Sequence, residues 1–355
     1  MTTAFTGACR PVLIGSMPLT DHGDACRLVR QTTPEIPVWA QLPRLPGEGM
    51  VPQFLTGMPG LKTAGDRYFV DPGDAAFDGA LLAFYERYLA MASGDMDADV
   101  AGFGLDPSVA GGFYALEKAL GHWPDGLSAI KGQVTGPITF TTAVKDQNGQ
   151  AIFFDAQLRD VAVKLLAASA RWQVERLDGF AVPVIIFIDE PALAGYGSSE
   201  FISMTREDVA AALTEVIDAV HGAGGLAGIH VCANTDWSLV LETPVDIVNF
   251  DAFAYFDRFI LYPEAVRGFL ASGRHLAWGI VPTLEADDIR AATPESLTQR
   301  FLSGVDQLVS LGLDRAQVMR QSLVSPSCGV GSLAPELALR VLDLTRELSA
   351  RLRAL

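Results

Sequence analysis

One histidine and two cysteines are the residues of this sequence best suited to chemistry. His230 and Cys232 stand at the end of an apolar run, Leu226 to Val231, and Cys328 follows a second run, Val318 to Val324. Side chains two residues apart on a strand point to the same face, so His230 and Cys232 can bind one object together. One imidazole and two thiolates suit Zn²⁺, and three protein ligands with one open position are typical of catalytic zinc. The alternative is a buried core histidine with two inert cysteines.

Composition and charge limit the class of protein. The chain has 355 residues, within the range of a single α/β barrel, and a formal net charge of −16, which argues against nucleic-acid binding through a basic face. We find no apolar run of about 18 uncharged residues and no signal-peptide pattern at the N-terminus. Four cysteines are few for a disulfide scaffold of this length. We therefore expect a cytoplasmic enzyme without nucleic-acid or membrane partners.

Short apolar runs alternate with helical patterns along the chain, which is typical of a parallel α/β barrel. An open, doubly wound sheet is the competing arrangement. We predict one (β/α)8 TIM-barrel domain over residues 1–355, with residues 43–127 as an insertion of loop and helices after the second strand. The predicted strands are 12–18, 36–42, 129–136, 182–188, 226–231, 246–251, 276–281 and 318–324; the predicted helices include 19–31, 72–92, 151–177, 207–221 and 335–353.

Polar residues stand where the predicted strands end. In a barrel these carboxyl ends meet at one mouth, where active sites form. Asp251 would be either a fourth metal ligand or an anchor for the site, against the plainer reading of a salt bridge at the mouth. Taken singly, Asp189 could be a helix cap and Thr135 part of a plain turn. The whole set is Ser16, Gln41, Thr135, Asp189, Glu190, His230, Cys232, Asp251, Thr283 and Cys328.

Five motifs in this order resemble the catalytic half of cobalamin-independent methionine synthase. That family belongs to the superfamily of uroporphyrinogen decarboxylase and the methylcobamide:coenzyme M methyltransferases. The resemblance runs from about residue 12 to residue 350, and it implies the TIM-barrel fold. The motifs are Ile14-Gly-Ser16-Met-Pro, Lys131-Gly-Gln-Val-Thr135-Gly-Pro137, Ile188-Asp189-Glu190-Pro191-Ala192, His230-Val-Cys232 and Pro326-Ser-Cys328-Gly329.

The resemblance also implies roles for single residues. Zn²⁺ would be held by His230, Cys232 and Cys328, with Asp251 standing where the family has a glutamate. Asp189 would hold the amino group of homocysteine. The predicted catalytic residues are Asp189, His230, Cys232 and Cys328. The further substrate-binding residues would be Ser16, which holds the carboxylate, Met50, which lines the thiol pocket, and Gln41, Thr135 and Glu190.

The implied activity is zinc-dependent methyl transfer to a thiol, with homocysteine as acceptor and methionine as product. The family's second acid for the amino group is replaced by Gln41, with Glu48 as the nearest carboxylate. The chain has no room for the extra barrel that binds a folate donor, so methylcobalamin or a methylated corrinoid protein is the expected donor, ahead of a methyl-folate. The alternatives are alkyl transfer to coenzyme M, including epoxide opening, a non-catalytic partner that binds zinc or a corrinoid protein, and tetrapyrrole decarboxylation.

Overall fold

The computed structural model describes residues 5–65, 67–93, 100–197, 201 and 203–355. Within these ranges, seven strands form one parallel sheet in the order β1-β9-β8-β7-β6-β5-β4, and β2 and β3 form a separate antiparallel pair. The strands are β1 (Arg10–Pro11), β2 (Leu61–Ala64), β3 (Arg67–Val70), β4 (Ile130–Thr135), β5 (Val184–Asp189), β6 (Leu226–Val231), β7 (Ile247–Phe250), β8 (His275–Val281) and β9 (Ser322–Pro326).

The parallel sheet is curled. Every residue of β5, with the sequence Val-Ile-Ile-Phe-Ile-Asp, is buried, as expected for a β-branched strand covered on both faces. Ile185 and Phe187 of this strand pack with Val12, Ala277 and Leu323 in one interior cluster. Strands that are distant in the sheet order contribute to this cluster, so the sheet bends round a common interior. Its other face packs against the helices in a larger core.

The predicted strands at 12–18 and 36–42 are not regular strands. Instead, isolated parallel bridges join Val38 to Lys131 of β4 and Gln41 to Ser16, which follows β1. The segment 36–42 therefore touches both edges of the seven-stranded sheet without forming a continuous ladder. Pro37 contributes to this because its nitrogen has no hydrogen to donate, although its carbonyl accepts from the Lys131 N–H at 2.8 Å.

Helices follow most of the parallel strands. Many begin at a residue whose side chain accepts a hydrogen bond from the first turn, such as Asp21, Asp155 and Thr205. The helices are α1 (His22–Thr32), α2 (Phe77–Ala92), α3 (Gly111–Leu120), α4 (Pro137–Ala143), α5 (Ala156–Leu177), α6 (Arg206–Gly222), α7 (Trp237–Leu241), α8 (Phe256–Phe259), α9 (Pro263–Ala271), α10 (Ala286–Ala291), α11 (Pro294–Ser310), α12 (Arg315–Arg320) and α13 (Pro335–Arg353).

Two predicted boundaries were wrong. The predicted strand 318–324 begins inside α12, because the Asp314 side chain accepts from the Gln317 N–H and starts a helix that continues to Arg320. The insertion over residues 43–127 was predicted to contain loop and helices, but it also contains the β2–β3 pair. Residues 43–127 also contain α2, which is fixed to α5 by a hydrogen bond of 2.7 Å from the Tyr85 hydroxyl to Asp160.

None of the helices in the described part of the chain combines the length and the apolar character that crossing a bilayer requires.

The first residue of β8 predicts how stability depends on pH. Burial lowers the pKa of His275 to about 4, while Asp246 acts in the opposite direction. An unfolded histidine has a pKa of about 6.5, so between these values the unfolded chain binds more protons than the folded one. Stability contributed by neutral His275 should therefore be present above pH 6.5 and decline towards pH 4.

This prediction is checked by urea unfolding of wild type and His275→Phe at pH 7.5 and pH 5. The replacement keeps an aromatic ring beside Phe5, whose ring centroid lies 5.1 Å from that of His275. The variant should lose less stability on acidification than wild type does. His122→Ala, at an exposed histidine, is the control and should follow the wild-type profile. Parallel profiles for all three proteins would contradict the prediction.

Candidate metal centre

Strand register brings the first functional side chains together. Asp189 is aligned with His230 across β5 and β6, and His230 is aligned with Asn249 across β6 and β7. Cys232 follows directly after β6, and Cys328 follows β9. The donor atoms of His230, Cys232 and Cys328 all lie within 4.8 Å of one another. Three residues that are far apart in the sequence therefore form one cluster at the carboxyl ends of the strands.

The two sulfurs and the imidazole share protons unequally. Hydrogen bonds from Cys328 and His230 lower the pKa of Cys232 to about 4, against the effect of burial. The Cys232 thiolate in turn raises the pKa of Cys328, and burial acts in the same direction. Burial lowers the pKa of His230, but Cys232, Asp189 and Asn249 outweigh it and the net shift is upward. Cys232 is therefore the more acidic of the two thiols, and it lies beside an imidazole that holds its proton more strongly than a free histidine does.

This donor set fits Zn²⁺. A tetrahedral zinc site with bonds of about 2.0–2.3 Å places its N and S donors roughly 3.5–3.8 Å apart. The observed cluster therefore needs only small side-chain adjustments to close on an ion. One imidazole and two thiolates are also the borderline-to-soft ligands that Zn²⁺ accepts.

Asp251 lies near the cluster but its carboxylate is not among the clustered donor atoms. One oxygen accepts from the Ala254 N–H at 2.8 Å and so closes the turn after β7. Burial raises the pKa of Asp251 to about 6, and the Cys232 thiolate acts in the same direction. Asp251 therefore fixes the turn after β7, and both of its predicted roles, fourth ligand and anchor of the site, stay predictions.

Asp189 carries the unpartnered acceptor of the site. Its side chain is buried, and in the described part of the chain its Oδ1 is one of five buried polar atoms without a hydrogen-bond partner. Burial raises the pKa of this carboxyl, while Lys131 and His230 counteract the rise. A buried oxygen without a donor costs about 1–3 kcal/mol, so an incoming N–H group from a ligand would be favoured here.

Glu190 has both of its carboxylate oxygens occupied. They accept from the backbone N–H groups of Ile138 and Thr139, each at 2.8 Å, and from the Thr139 hydroxyl at 2.7 Å. These N–H groups belong to the first turn of α4, where a negative charge is favourable. Burial nevertheless raises the pKa of Glu190 to about 7. The predicted substrate-binding residue therefore fixes α4 beside the mouth.

The polar groups of most other predicted substrate-binding residues are already hydrogen-bonded within the protein. The Thr135 hydroxyl donates to the carbonyl of Met50, whose side chain is 37% exposed. The Gln41 amide donates to Gln53 at 2.7 Å. Glu48, the nearest carboxylate to Gln41, pairs with His22 at 2.8 Å. The structure thus brings Met50 and Thr135 together, while Gln41 and Glu48 are bonded to other side chains of the same protein.

Ser16 lies against the chain that follows Cys328. Its hydroxyl oxygen accepts from the Gly331 N–H at 3.3 Å. A Cβ atom built on Gly329 would come within 2.1 Å of that oxygen, so a side chain at position 329 would force the Ser16 hydroxyl to turn away. Ser16 therefore lies close to the chain that follows Cys328, and its role at the substrate carboxylate stays a prediction.

Two functional candidates were missed from the sequence. Asn249 contacts the Nδ1 of His230, and fully buried Lys131 donates to the Ile14 carbonyl at 2.6 Å. Burial lowers the pKa of Lys131 to about 8, although Asp189 raises it. The spacing along the strands could have identified both residues. Lys131, Gln133 and Thr135 occupy every second position of β4, and Asn249 lies two residues before Asp251. Polar residues at every second position of a fully buried strand indicate an inward polar face.

The sequence matches no known family model and no curated protein. Solved structures that resemble the chain do so at low sequence identity, and three of them illustrate this. A B12-independent methionine synthase from Shewanella sp. W3-18-1 in complex with selenomethionine is 16% identical with a TM-score of 0.43, and the match covers 64% of this chain and 62% of that chain.

The other two come from different enzyme classes. The pneumococcal exo-β-D-N-acetylglucosaminidase catalytic modules are 8% identical with a TM-score of 0.44, over 97% of this chain and 85% of that one. A tryptophan synthase from M. tuberculosis in its ligand-free form is 16% identical with a TM-score of 0.27, over 70% and 89%. Likenesses this distant carry no argument about function, which rests here on the site.

The cluster predicts metal binding that depends on Cys328. Wild-type protein dialysed against zinc and then against buffer should retain about one zinc per chain. Cys328→Ser should lose most of it, because a neutral hydroxyl replaces a thiolate ligand. Elemental analysis by inductively coupled plasma mass spectrometry gives the stoichiometry. Cys26→Ser, which changes a cysteine on α1 outside the cluster, is the matched control and should keep the metal. Equal zinc contents in the two variants would count against the site.

Proposed function

We propose that this chain is a zinc-dependent thiol S-methyltransferase that transfers a methyl group to homocysteine and forms methionine. The proposed donor is methylcobalamin or a methylated corrinoid protein, with a methyl-folate as the other option. One observation carries the proposal: the donor atoms of His230, Cys232 and Cys328 converge beside the unpartnered carboxylate oxygen of Asp189. The first group suits a metal with an open position, and the second suits the ammonium group of an amino acid.

The metal's contribution follows from its charge. Zn²⁺ held by His230, Cys232 and Cys328 would supply a Lewis acid that lowers the pKa of an acceptor thiol, ordinarily near 8.5. The protein's own part is to present three donors from two strand ends. The lowered pKa of Cys232 favours the anionic form, which is the form of a thiol that binds a metal ion.

Asp189 would orient the acceptor. An ammonium group would donate to Oδ1 and replace the hydrogen bond that this buried oxygen lacks. Burial favours the neutral carboxyl and raises its pKa, whereas Lys131 and His230 favour the ionised form, which is the form that binds a cation. The Ser16 hydroxyl, beside Gly329 and Gly331, would take the substrate carboxylate.

The proposed step is an in-line displacement. The acceptor thiol gives up its proton to solvent, its sulfur forms a bond to the methyl carbon, and the bond between that carbon and the donor breaks. The electron pair of the broken bond stays with the donor. The protein contributes orientation, because the sulfur, the methyl carbon and the leaving atom of the donor must lie on one line at the mouth.

The segment from Glu48 to Met50 lies at the mouth and offers a surface for a large methyl donor. Met50 is partly exposed there, and its carbonyl is held by Thr135 at the end of β4. Glu48, two residues earlier, is fixed by His22 and by the Leu42 N–H at 3.1 Å. A loop held at both ends can present an apolar side chain to a bulky carrier without much entropy cost on binding.

A second candidate function is transfer to a thiol without an amino group, such as 2-mercaptoethanesulfonate. The observation that favours it is the pairing of Glu48 with His22 and of Gln41 with Gln53. With these two residues paired, Asp189 remains as a buried carboxylate near the cluster whose Oδ1 has no partner in the described part of the chain. A single acid would bind an ammonium group less selectively than two.

The activity is tested by mixing zinc-loaded protein, methylcobalamin and one thiol at a time without oxygen. The absorption spectrum should change from that of methylcobalamin to that of the demethylated corrinoid, and with homocysteine the product should be methionine by mass spectrometry. Cys328→Ser should give no change. Wild-type protein that consumes methylcobalamin with neither homocysteine nor 2-mercaptoethanesulfonate, even when supplied with a corrinoid protein or a methyl-folate, would contradict the proposal.

Asp189→Asn distinguishes the two acceptors. Loss of a charge-assisted hydrogen bond to the ammonium group should lower kcat/KM for homocysteine about 10- to 100-fold. The same change should alter kcat/KM for 2-mercaptoethanesulfonate much less, because that thiol has no ammonium group. Asp251→Asn is the control: it removes a carboxylate from the neighbouring strand end and should affect both thiols alike. Equal losses for both thiols in Asp189→Asn would rule out an ammonium-binding role.

A further inference from the structure

Asn249 lies at the centre of a hydrogen-bond network that reaches both sides of the metal-ligand cluster. It is fully buried on β7, between the strand that carries His230 and the strands that lead to Cys328. Its side-chain oxygen contacts His230 Nδ1. Its side-chain nitrogen donates to the Ala277 carbonyl at 2.8 Å and to the Ser325 hydroxyl at 2.7 Å. One amide therefore links β6, β7, β8 and β9.

These contacts determine which way the amide faces. A primary amide has two N–H donors, and both are used by Ala277 and Ser325. The oxygen must then be the atom that faces His230. Since that oxygen only accepts, the Nδ1 of His230 must carry the hydrogen. The lone pair of the neutral imidazole is consequently on Nε2.

We propose that Asn249 is the positioning residue of the metal centre: it holds His230 in the tautomer that leaves Nε2 free to bind the ion. The proposal rests on the metal site of the proposed function and extends it to a residue that touches no substrate. A histidine ligand is typically held through its other nitrogen by a carboxylate or a carbonyl, and here a side-chain amide takes that place.

The same network approaches the second half of the ligand set. Ser325 lies on β9, three residues before Cys328. The chain between them is fixed by Ser327, whose N–H donates to the Val281 carbonyl at 2.8 Å and whose hydroxyl bonds the Thr283 hydroxyl at 2.8 Å. The amide of Asn249 therefore ties the imidazole to the strand that delivers the second thiolate. This arrangement prepares both halves of the site before any ion binds.

A neutral amide also suits the charges of the site. Two thiolate ligands already balance a divalent cation, and the carboxyl groups of Asp189 and Asp251 are buried nearby. A carboxylate at position 249 would add a negative charge to a volume that has little solvent. The amide supplies the acceptor that His230 needs without that charge.

The test measures zinc affinity by competition with a chromophoric chelator, together with the absorption spectrum of the Co²⁺-loaded protein. Asn249→Ala should weaken zinc binding about 10- to 100-fold and alter the cobalt bands, because His230 is then free to rotate and to change tautomer. Asn249→Asp restores an acceptor for Nδ1–H and should recover zinc affinity to within about tenfold of wild type. A purely structural role for Asn249 would not produce this rescue.

Gln173→Ala is the matched control for loss of a buried amide. Gln173 is fully buried, accepts from the Trp39 indole N–H at 2.9 Å and donates to the Gln133 carbonyl at 3.0 Å. It contacts none of the proposed ligands through these bonds. The control should lower the free energy of unfolding while the folded protein keeps its zinc affinity.

The outcomes separate the inference from the proposed function. If wild-type protein binds no zinc, the proposed function fails. If wild-type protein binds zinc and Asn249→Ala binds it equally well, or Gln173→Ala loses as much affinity, the inference alone is overturned. Should Asn249→Ala not fold, Ser325→Ala carries the test: it removes one anchor of the amide and should weaken zinc binding severalfold. Unchanged affinity there would overturn the inference as well.

Discussion

The register of three adjacent parallel strands is the constraint on which the rest of the structure depends. Asp189, His230 and Asn249 are aligned across β5, β6 and β7, so all three side chains point inward at the same level. A shift of one residue in β6 would turn His230 and Cys232 away from the interior. The β-branched and aromatic residues that alternate with them make such a shift costly, because it would place those residues among polar groups.

The buried charged side chains near the carboxyl ends of the strands are stabilised by polar and aromatic groups around them. Lys131 is fully buried, and its ammonium group donates to the Ile14 carbonyl at 2.6 Å and lies 4.4 Å from the Phe187 ring centroid. Glu190 is balanced by the first turn of α4. Asp189 has opposite charges near it but still lacks a hydrogen-bond donor on one oxygen. A fold that pairs its other buried charges and leaves this oxygen open is organised for a ligand.

The ligand residues of the site could be predicted from the sequence, but the contacts that hold them in place could not. The strand pattern was sufficient to place β4 to β8 within about two residues and to bring His230, Cys232 and Cys328 to one end of the sheet. The irregular segment 36–42 was not predictable, because a proline within an apolar run is compatible with a strand or with isolated bridges. Asp189 and Glu190 were both predicted to bind substrate, although Glu190 is held by α4 and Oδ1 of Asp189 has no partner in the described part of the chain. That division depends on where α4 packs, which is a tertiary contact.

Asn249 was missed for a related reason. A single asparagine inside an apolar strand is normally a sign of a turn or an irregularity, and its three partners come from three other strands. Strand parity would have placed it on the inward face with His230 and Asp251, but parity alone does not show which way an amide faces.

The protonation pattern of the site connects these observations. Cys232, Cys328, Asp189 and Asp251 place several potential negative charges in a small buried volume. Cys232 is the main cause of the upward shifts in the pKa of Cys328 and His230, and it adds to the effect of burial on Asp251; protons retained by these groups reduce the repulsion. A divalent cation would balance the same charge and release the protons. The fold therefore accumulates ligands that are unfavourable together without a positive charge, and this crowding is the physical basis for expecting an ion among them.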